Sequence, residues 1–372
     1  MISIMIVQIN LLLIILEGLK MVSTKKNALR KFSTGLLGLM LVLILLAGCG
    51  GQALAAGAGG VSGKIVIYTS IYEDVIEMLQ PVMKKMFPNV NVEFFYGGTG
   101  TLQAKVAAEI AAGALGCDMF MVADPSYAME LKEANILHRY MSPEAVNLGF
   151  DYDPEGYWYP VRVSNMVLGY NPARYSKNEI PNSMYDFAFD SSVKGAISKS
   201  NPLTSGTALA AIVALYDKYG IEYYQALGNQ GVMIESGSVA LTKLETGECK
   251  VIMVLEESIL KKREEDGSKL EVIYPTDGTI VVPSPIMTVS DKWSANKNTV
   301  AAQAITDWFL STEGQSFIVA GWMHSVRKDA AKAPYDAIPT ADIRANHMPV
   351  DWVRAYQLRE DFRTKFVESV NK

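Results

Sequence analysis

The sequence contains few of the residues that build metal centres and disulfide frameworks. Among its 372 residues there are three cysteines and three histidines, too few for a Cys/His-rich zinc scaffold or a disulfide-stabilised fold. Basic residues are also in the minority, since 34 Lys and Arg face 39 Asp and Glu, a net charge of −5. A general nucleic-acid binder needs a basic surface to meet phosphates, so no nucleic-acid partner is expected.

Motifs of catalysis are missing as well. The sequence has no HExxH, CxxC or GxSxG, and His138, His324 and His347 are scattered along it. No group of residues assembles a nucleophile, a base and an oxyanion hole. We therefore expect a protein that is not an enzyme, without a cofactor or a resident metal. With 49% hydrophobic and 20% charged residues the composition is globular, and the length allows two domains or three.

The amino terminus has the organisation of a secretory signal. From Met21 a basic stretch precedes an apolar run, Leu36–Leu46, which is followed by small residues. This order is typical of a signal peptide. The run is too short to favour a transmembrane helix, which needs about 20 apolar residues. We interpret residues 1–48 as a signal peptide, with Met21 as a candidate for the true start.

The signal ends in Leu46-Ala47-Gly48-Cys49, which resembles a bacterial lipobox. The resemblance implies cleavage before Cys49 and a lipid on its sulfur; an uncleaved membrane anchor is the alternative. Residues 49–62 are rich in glycine and alanine after the cysteine, which predicts a flexible, lipid-anchored tether. We therefore expect a folded body of about 310 residues at the outer face of the cell membrane or in a periplasm.

Strand and helix patterns alternate along this body. A first block reads strand, helix, strand, helix, strand over residues 64–123, and the alternation restarts near Val161. Such alternation predicts parallel βαβ units. Two blocks of similar size joined by extended strands predict an α/β protein with two Rossmann-like lobes around a ligand cleft. We place lobe 1 at residues 63–165 and 286–330, and lobe 2 at residues 166–285 and 331–372.

The loops that follow the strands are the candidate binding site, because ligands of open α/β sheets bind outside the carboxyl ends of the strands. Gly97–Thr101 follows a strand and begins a helix, and Asn201–Thr207 does the same. Small residues, hydroxyls and a helix N-terminus together favour an anion, although a capped tight turn also explains each loop. The residues expected to hold the anion are Thr99, Gly100, Ser205, Gly206 and Thr207.

Five further residues lie at strand ends or near the crossover between the lobes. Glu256 and Asp124 are expected to hydrogen-bond hydroxyls or an amine of the ligand. Tyr72 is expected to pack on the ligand, and Ser236 lies in a third candidate loop. Arg162 is interpreted either as a bidentate contact to a phosphoryl group or as part of a structural salt bridge.

Three other residues leave alternatives open. Cys117 and Cys249 precede strands in different blocks. A disulfide between them is compatible with a location outside the cytoplasm, and two idle buried thiols are the alternative. Glu257 begins a charged helix and is interpreted either as a ligand contact or as a residue that faces water.

In their order along the chain, these segments resemble bacterial extracellular solute-binding proteins of family 1. The resemblance covers about residues 63–330 and is carried by the lipobox, KIVIYTS, the Gly/Thr loop, DMFMVADPSY, NPLTSGTAL, ETGECKVIMV, YPTDGTIVVPSPI and WFLSTEGQSFIVAGWMHSVR. It points to the ferric-iron-binding branch with its organophosphate- and phosphonate-binding relatives. It implies a type II periplasmic-binding-protein fold with hinge crossovers, closure on the ligand, and delivery to an ABC permease.

One departure separates the sequence from the iron-binding members of that branch. Those members ligate ferric iron with two adjacent tyrosines, where this sequence has Ser258 and Ile259. The family's anion-holding Ser-Gly loop is retained in Ser205–Thr207. The resemblance therefore implies a monomer that binds a small anionic ligand with a phosphoryl group: a sugar phosphate, another organophosphate or a phosphonate. Ferric iron or an iron chelate is the alternative ligand, and a ligand-sensing ectodomain that docks on a membrane receptor is the alternative role.

Overall fold

The protein's structure, a computed structural model, describes residues 60–330 and 332–371. The predicted signal peptide, Cys49 and most of the predicted tether lie outside these residues. The described residues form ten strands. The strands are β1 (Gly63–Thr69), β2 (Val90–Tyr96), β3 (Met119–Met121), β4 (Tyr159–Tyr170), β5 (Ile197–Ser200), β6 (Met233–Glu235), β7 (Val251–Leu255), β8 (Glu271–Ile273), β9 (Thr279–Thr288) and β10 (His347–Met348).

Helices connect most of these strands, as the apolar spacing predicts. The first of them buries one face, with acidic residues in its first turn and basic residues in its last, which suits the helix dipole. The helices are α1 (Glu73–Met86), α2 (Thr99–Ala111), α3 (Pro125–Glu133), α4 (Met184–Phe189), α5 (Gly206–Tyr219), α6 (Ile221–Asn229), α7 (Gly237–Thr246), α8 (Glu256–Asp266), α9 (Thr299–Leu310), α10 (Thr312–Ala320), α11 (Thr340–Ala345), α12 (Trp352–Gln357) and α13 (Arg359–Val370).

The strands form one mixed sheet in the order β2-β1-β3-β9-β4-β7-β5-β6, with β8 paired to β4 and β10 to β9. Strands β1, β2 and β3 are parallel and form the first half of the sheet. Strands β5, β6 and β7 are parallel and form the second half. The long strands β4 and β9 pair antiparallel between the halves. The α/β fold class and the crossover strands are as predicted, and the lobe boundaries stay a prediction.

The crossover strands are buried along their whole length, which explains their nearly continuous apolar sequences. The carboxy-terminal segment is largely helical, and it contacts both halves. Phe362 and Phe366 of α13 pack into the core of the second half. Arg359, at the start of the same helix, forms an ion pair with Glu130 of α3 in the first half. Part of this segment therefore bridges the two halves.

The cysteines show which of the two sequence interpretations is right. Cys117 and Cys249 are free and buried, and they lie in separate hydrophobic clusters. Burial raises the pKa of Cys249 to about 11 and raises that of Cys117 as well, so both remain thiols at neutral pH. The disulfide alternative is therefore wrong. Within residues 60–330 and 332–371, no helix has the length and apolar character needed to cross a membrane.

Candidate functional site

Loops from the two halves of the sheet are in direct contact. The N–H of Gly100 donates to the carbonyl oxygen of Thr204, with an N···O distance of 3.0 Å. A Cβ at Gly100 would lie 2.5 Å from the carbonyl oxygen of Leu203, so only glycine allows this approach. A Cβ at Gly206 would likewise collide with the carbonyl oxygen of Ala123. The two predicted anion loops are thus brought together, and their glycines permit the contact between the halves.

The hydroxyl groups of these loops organise the helix starts. The Oγ of Ser205 accepts from a backbone N–H of α5 at 3.2 Å and lies 3.1 Å from the Oγ1 of Thr207. The Oγ1 of Thr99 accepts from the backbone N–H that follows β3, also at 3.2 Å. Helix α5 begins at Gly206, so the first N–H groups after Ser205 have no partner within the helix. The loop therefore has a capping hydroxyl and N–H groups suited to an anion.

Asp124 and Ser236 also cap helices. One oxygen of Asp124 accepts from two N–H groups of α3, and the other accepts from the Nε2 of Gln103 at 2.8 Å. The Oγ of Ser236 accepts from the N–H of Val239 at the start of α7, at 3.3 Å. Both oxygens of Asp124 therefore already accept hydrogen bonds from the protein.

Glu256 lies at the centre of a buried hydrogen-bond network. Its Oε2 accepts from the Nδ2 of Asn165 at 2.9 Å and lies at the same distance from the Nε2 of His324. The hydroxyl of Tyr274 donates to its Oε1. The Nδ1 of His324 lies 2.9 Å from the Oγ1 of Thr340. Both carboxyl oxygens of Glu256 therefore have protein partners, and this carboxyl holds the crossover region together.

Arg162 is a buried cation that lacks a strong acceptor. It lies on β4 and is 2% exposed. Its Nη2 donates to the Oγ of Ser70 at 3.0 Å and its Nη1 to the Sδ of Met323 at 3.1 Å, and its Nε has no hydrogen-bond partner among the described residues. Burial lowers the pKa of Arg162, yet a guanidinium remains charged at neutral pH. A buried charge held by a hydroxyl and a thioether is stabilised when an anion approaches it.

Glu257 is buried, so the interpretation that it faces water is wrong. It is 2% exposed, and burial raises the pKa of its carboxyl to about 7 although the nearby Arg162 acts in the opposite direction. The sequence prediction did not include Ser70 among the candidate site residues, and it gave ligand contact by Glu257 only as one of two alternatives. The rule that ligands meet the ends of strands could have found them, because Ser70 directly follows β1 and Glu257 lies two residues after β7.

Ser258 and Ile259, which stand where the iron-binding members have their two tyrosines, lie in different surroundings. The Oγ of Ser258 is 2.9 Å from the hydroxyl of Tyr72, which joins the loop after β1 to the start of α8. Ile259 is fully buried in the cluster beneath β4. Burial raises the pKa of Tyr72, which opposes the phenolate that binds ferric iron. In the part of the chain that the structure describes, no group of three or more His, Cys, Asp or Glu side chains is placed to hold a metal ion.

A comparison with known proteins decides the family. A family model described as bacterial extracellular solute-binding protein matches residues 78–341. The chain belongs to this family. The resemblance read from the sequence is confirmed, and the family is one of solute-binding proteins outside the cytoplasm.

Solved structures show the fold of this solute-binding protein. The periplasmic binding protein AfuA from Actinobacillus pleuropneumoniae, with exogenous fructose-6-phosphate bound, has a TM-score of 0.72 and 21% identity over 84% of this chain and 99% of its own. Iron-bound HitA from Pseudomonas aeruginosa has a TM-score of 0.70 and 18% identity over 82% of this chain and 99% of its own. A substrate-binding protein of an ABC transporter from Agrobacterium tumefaciens has a TM-score of 0.72 and 17% identity over 84% of this chain and 95% of its own. The predicted type II periplasmic-binding-protein fold is confirmed.

Proposed function

We propose that this solute-binding protein binds a small molecule with a phosphoryl group, a sugar phosphate, another organophosphate or a phosphonate, and delivers it to an ABC importer. The observation that carries the proposal is the environment of Arg162. Arg162 is 2% exposed, and the hydrogen-bond acceptors of its guanidinium are the neutral groups of Ser70 and Met323. Phosphoryl oxygens form charge-assisted hydrogen bonds with guanidinium groups. An anion in the cleft would therefore supply the acceptors that the protein does not.

The two helix starts support the same ligand. Thr99 and Gly100 begin α2, and Ser205 caps α5, which begins with Gly206 and Thr207. Helix N-termini favour phosphoryl groups because their N–H groups point outwards and the helix dipole is positive there. Asp124, Ser236 and Glu256 fix the loops around the ligand through the caps and the network described above. The protein loops bind the anion although the whole chain is acidic, since contacts at short range outweigh net charge.

Contacts between the halves support closure on the ligand. The bonds from Gly100 to Thr204 and from Tyr72 to Ser258 each join one half to the other. A ligand enters only after these bonds open, and the crossover strands β4 and β9 are the place for the hinge. Closure around the bound ligand then re-forms contacts at the rim, with Tyr72 packed against the ligand.

The anchoring of the protein belongs to the same proposal. We place a lipid on Cys49, so that a monomeric binding protein is held at the outer face of the membrane beside its permease. The support is the order of the sequence from Met21, in which basic residues, an apolar run and a lipobox-like sequence precede Cys49.

A double substitution tests the anion loop. Ser205→Ala with Thr207→Val removes both hydroxyls and is expected to weaken binding of glycerol 3-phosphate or another phosphoryl ligand at least tenfold, about 1.4 kcal/mol. Calorimetric titration of the chain without its predicted signal measures the dissociation constant. An unchanged dissociation constant would contradict the assignment of the loop.

Ser311→Ala is the matched control for that experiment. The Oγ of Ser311 caps α10 by accepting from the N–H of Gly314 at 3.2 Å, the same distance at which Ser205 caps α5. Loss of either cap is expected to lower stability by about 1 kcal/mol. Only the substitutions at Ser205 and Thr207 are expected to change the dissociation constant.

A further inference from the structure

We propose that Glu257 and Arg162 form one recognition subsite for a ligand that carries a hydrogen-bond donor, an ammonium or a hydroxyl group, close to its phosphoryl group. This inference rests on the proposed function, because it assigns the phosphoryl group to Arg162. It adds a specificity-determining residue, Glu257, which selects among phosphoryl compounds.

The strand register places the two side chains on the same side of β4. Met166 pairs with Leu255 across the antiparallel strands β4 and β7. One position further, Asn165 donates to Glu256 at 2.9 Å. Glu257 lies in the first turn of α8, beyond the end of β7, and there both Ser164 and Arg162 of β4 act on its carboxyl. Arg162 points to the same face of β4 as Ser164 because side chains alternate along a strand. The carboxyl of Glu257 and the guanidinium of Arg162 therefore approach the ligand from one wall.

Both groups retain hydrogen-bonding capacity that the protein does not use, although the Ser164 hydroxyl and a backbone N–H already act on the carboxyl of Glu257. Among residues 60–330 and 332–371, neither the Nε of Arg162 nor the Oε1 of Glu257 has a hydrogen-bond partner. Each residue is 2% exposed, so bulk water does not readily supply the missing partner. The charged and titratable groups that face Glu257 are Arg162 on β4, Tyr72 in the loop after β1 and Glu256 on its own helix.

The Nε of Arg162 and the Oε1 of Glu257 need opposite kinds of hydrogen-bond partner. The Nε–H of Arg162 needs an acceptor, and the Oε1 of Glu257 needs a donor or a proton. The hydrogen bonds of Arg162 go to Ser70 and Met323 instead of Glu257, so the two groups do not satisfy each other directly. A ligand with anionic oxygens at one end and a donor nearby matches both requirements. A phosphoryl ligand without a donor would leave the carboxyl oxygen unmatched.

Matched pairs of ligands test this selectivity by calorimetric titration at pH 8. The first pair is 2-aminoethylphosphonate and ethylphosphonate, and the second is glycerol 3-phosphate and propyl phosphate. We expect the wild-type chain to bind the donor-bearing member of at least one pair at least tenfold more tightly. Equal affinities within both pairs would overturn the inference while leaving the proposed function intact. If no member of either pair binds, the inference is overturned, and if hexose phosphates fail to bind as well, the proposed function is wrong.

Two substitutions at one position identify the donor. Glu257→Leu removes the acceptor, so the preference for the donor-bearing ligand is expected to fall to about onefold whichever donor is present. Glu257→Gln keeps a neutral acceptor, so it is expected to abolish the preference for an ammonium and to retain most of the preference for a hydroxyl. A tenfold preference that survives in Glu257→Leu would overturn the inference, as would equal weakening of both members of a pair.

The pH dependence in the wild-type chain gives a readout that needs no variant. An ammonium requires ionised Glu257, whose pKa burial raises to about 7. The preference for 2-aminoethylphosphonate over ethylphosphonate is therefore expected to decrease as pH falls from 8 to 6, once each dissociation constant is corrected for the ligand's own phosphonate protonation, because the ammonium lowers the second pKa of 2-aminoethylphosphonate. A preference for glycerol 3-phosphate is expected to change less, because a protonated carboxyl still offers a carbonyl oxygen. An ammonium preference that increases as pH falls would contradict the role of Glu257.

Discussion

Replacing Arg162 by methionine is expected to weaken the binding of a phosphoryl ligand at least 100-fold. The substitution removes the buried cation that the anion would meet, and removal of one member of a buried charge pair costs about 2–5 kcal/mol. Methionine has a similar length and no charge, and it would lie beside Met323, which Arg162 already contacts. Calorimetric titration with glycerol 3-phosphate or 2-aminoethylphosphonate measures the loss of affinity.

The unliganded stability of that variant separates binding from folding. Arg162→Met removes the cost of burying a guanidinium, but it also leaves the nearby carboxyl of Glu257 without a cation. That carboxyl can take up a proton, so the melting temperature without ligand is expected to stay close to that of the wild type at pH 7 and below. Arg139→Met is the matched control: this arginine is exposed, its Nε donates to the carbonyl oxygen of Glu155 at 2.8 Å, and its loss lowers the net charge equally. The assignment of Arg162 fails if both variants bind with the affinity of the wild type.

Replacing Gly100 by alanine is expected to weaken ligand binding about 10- to 100-fold by hindering closure. The new Cβ would lie 2.5 Å from the carbonyl oxygen of Leu203 and 2.8 Å from the Cα of Thr204. Such crowding of rigid backbone costs about 1–3 kcal/mol. An open cleft would accommodate the methyl group, so the radius of gyration of the unliganded variant is expected to exceed that of the wild type. Titration and small-angle scattering measure the two effects.

Gly237→Ala is the control for the substitution at Gly100. Gly237 also begins a helix, α7, but a Cβ there would meet only the side chain of Ser200, at an ordinary 3.6 Å. Gly237→Ala is expected to leave both the ligand affinity and the radius of gyration unchanged. Wild-type affinity in Gly100→Ala would show that the contact between Gly100 and Thr204 is not part of the liganded state.

Most of the fold could be predicted from local sequence, because the apolar pattern of each element is set by its own burial. The alternation predicted over residues 64–123 is present as β1, α1, β2, α2 and β3, and the loop Asn201–Thr207 follows a strand and leads into a helix, as predicted. Turn residues and helix caps are local signals too. They located the loops after the strands, which is where the halves of the sheet meet.

The roles of neighbouring side chains could not be predicted in this way. Glu256 and Glu257 are adjacent, and the sequence favours the first as the ligand contact. In the structure Glu256 is held by Asn165, 91 positions away, and by His324, 68 positions away, whereas Glu257 keeps an oxygen without a partner within the described ranges. Only the pairing of distant strands decides which carboxyl is already used.

The glycines illustrate a second limit of local reasoning. The sequence indicates that backbone or ligand approaches closely at Gly100 and Gly206, and that indication is physically sound. The sequence does not show which group approaches these two glycines. In the structure the neighbours are the carbonyl oxygens of Leu203 and Ala123, so these positions control the contact between the halves as well as any contact with an anion.

Thermal unfolding with a small ligand panel tests the claim of a phosphoryl ligand most directly. The panel contains hexose phosphates, glycerol phosphates, 2-aminoethylphosphonate, inorganic phosphate and ferric citrate. A ligand at about 100 times its dissociation constant adds about 2.7 kcal/mol, which raises the melting temperature by several degrees. We expect that rise with an organophosphate or a phosphonate. A rise with ferric citrate alone, accompanied by visible absorbance, would contradict the claim and show that the cleft holds iron without the tyrosine pair.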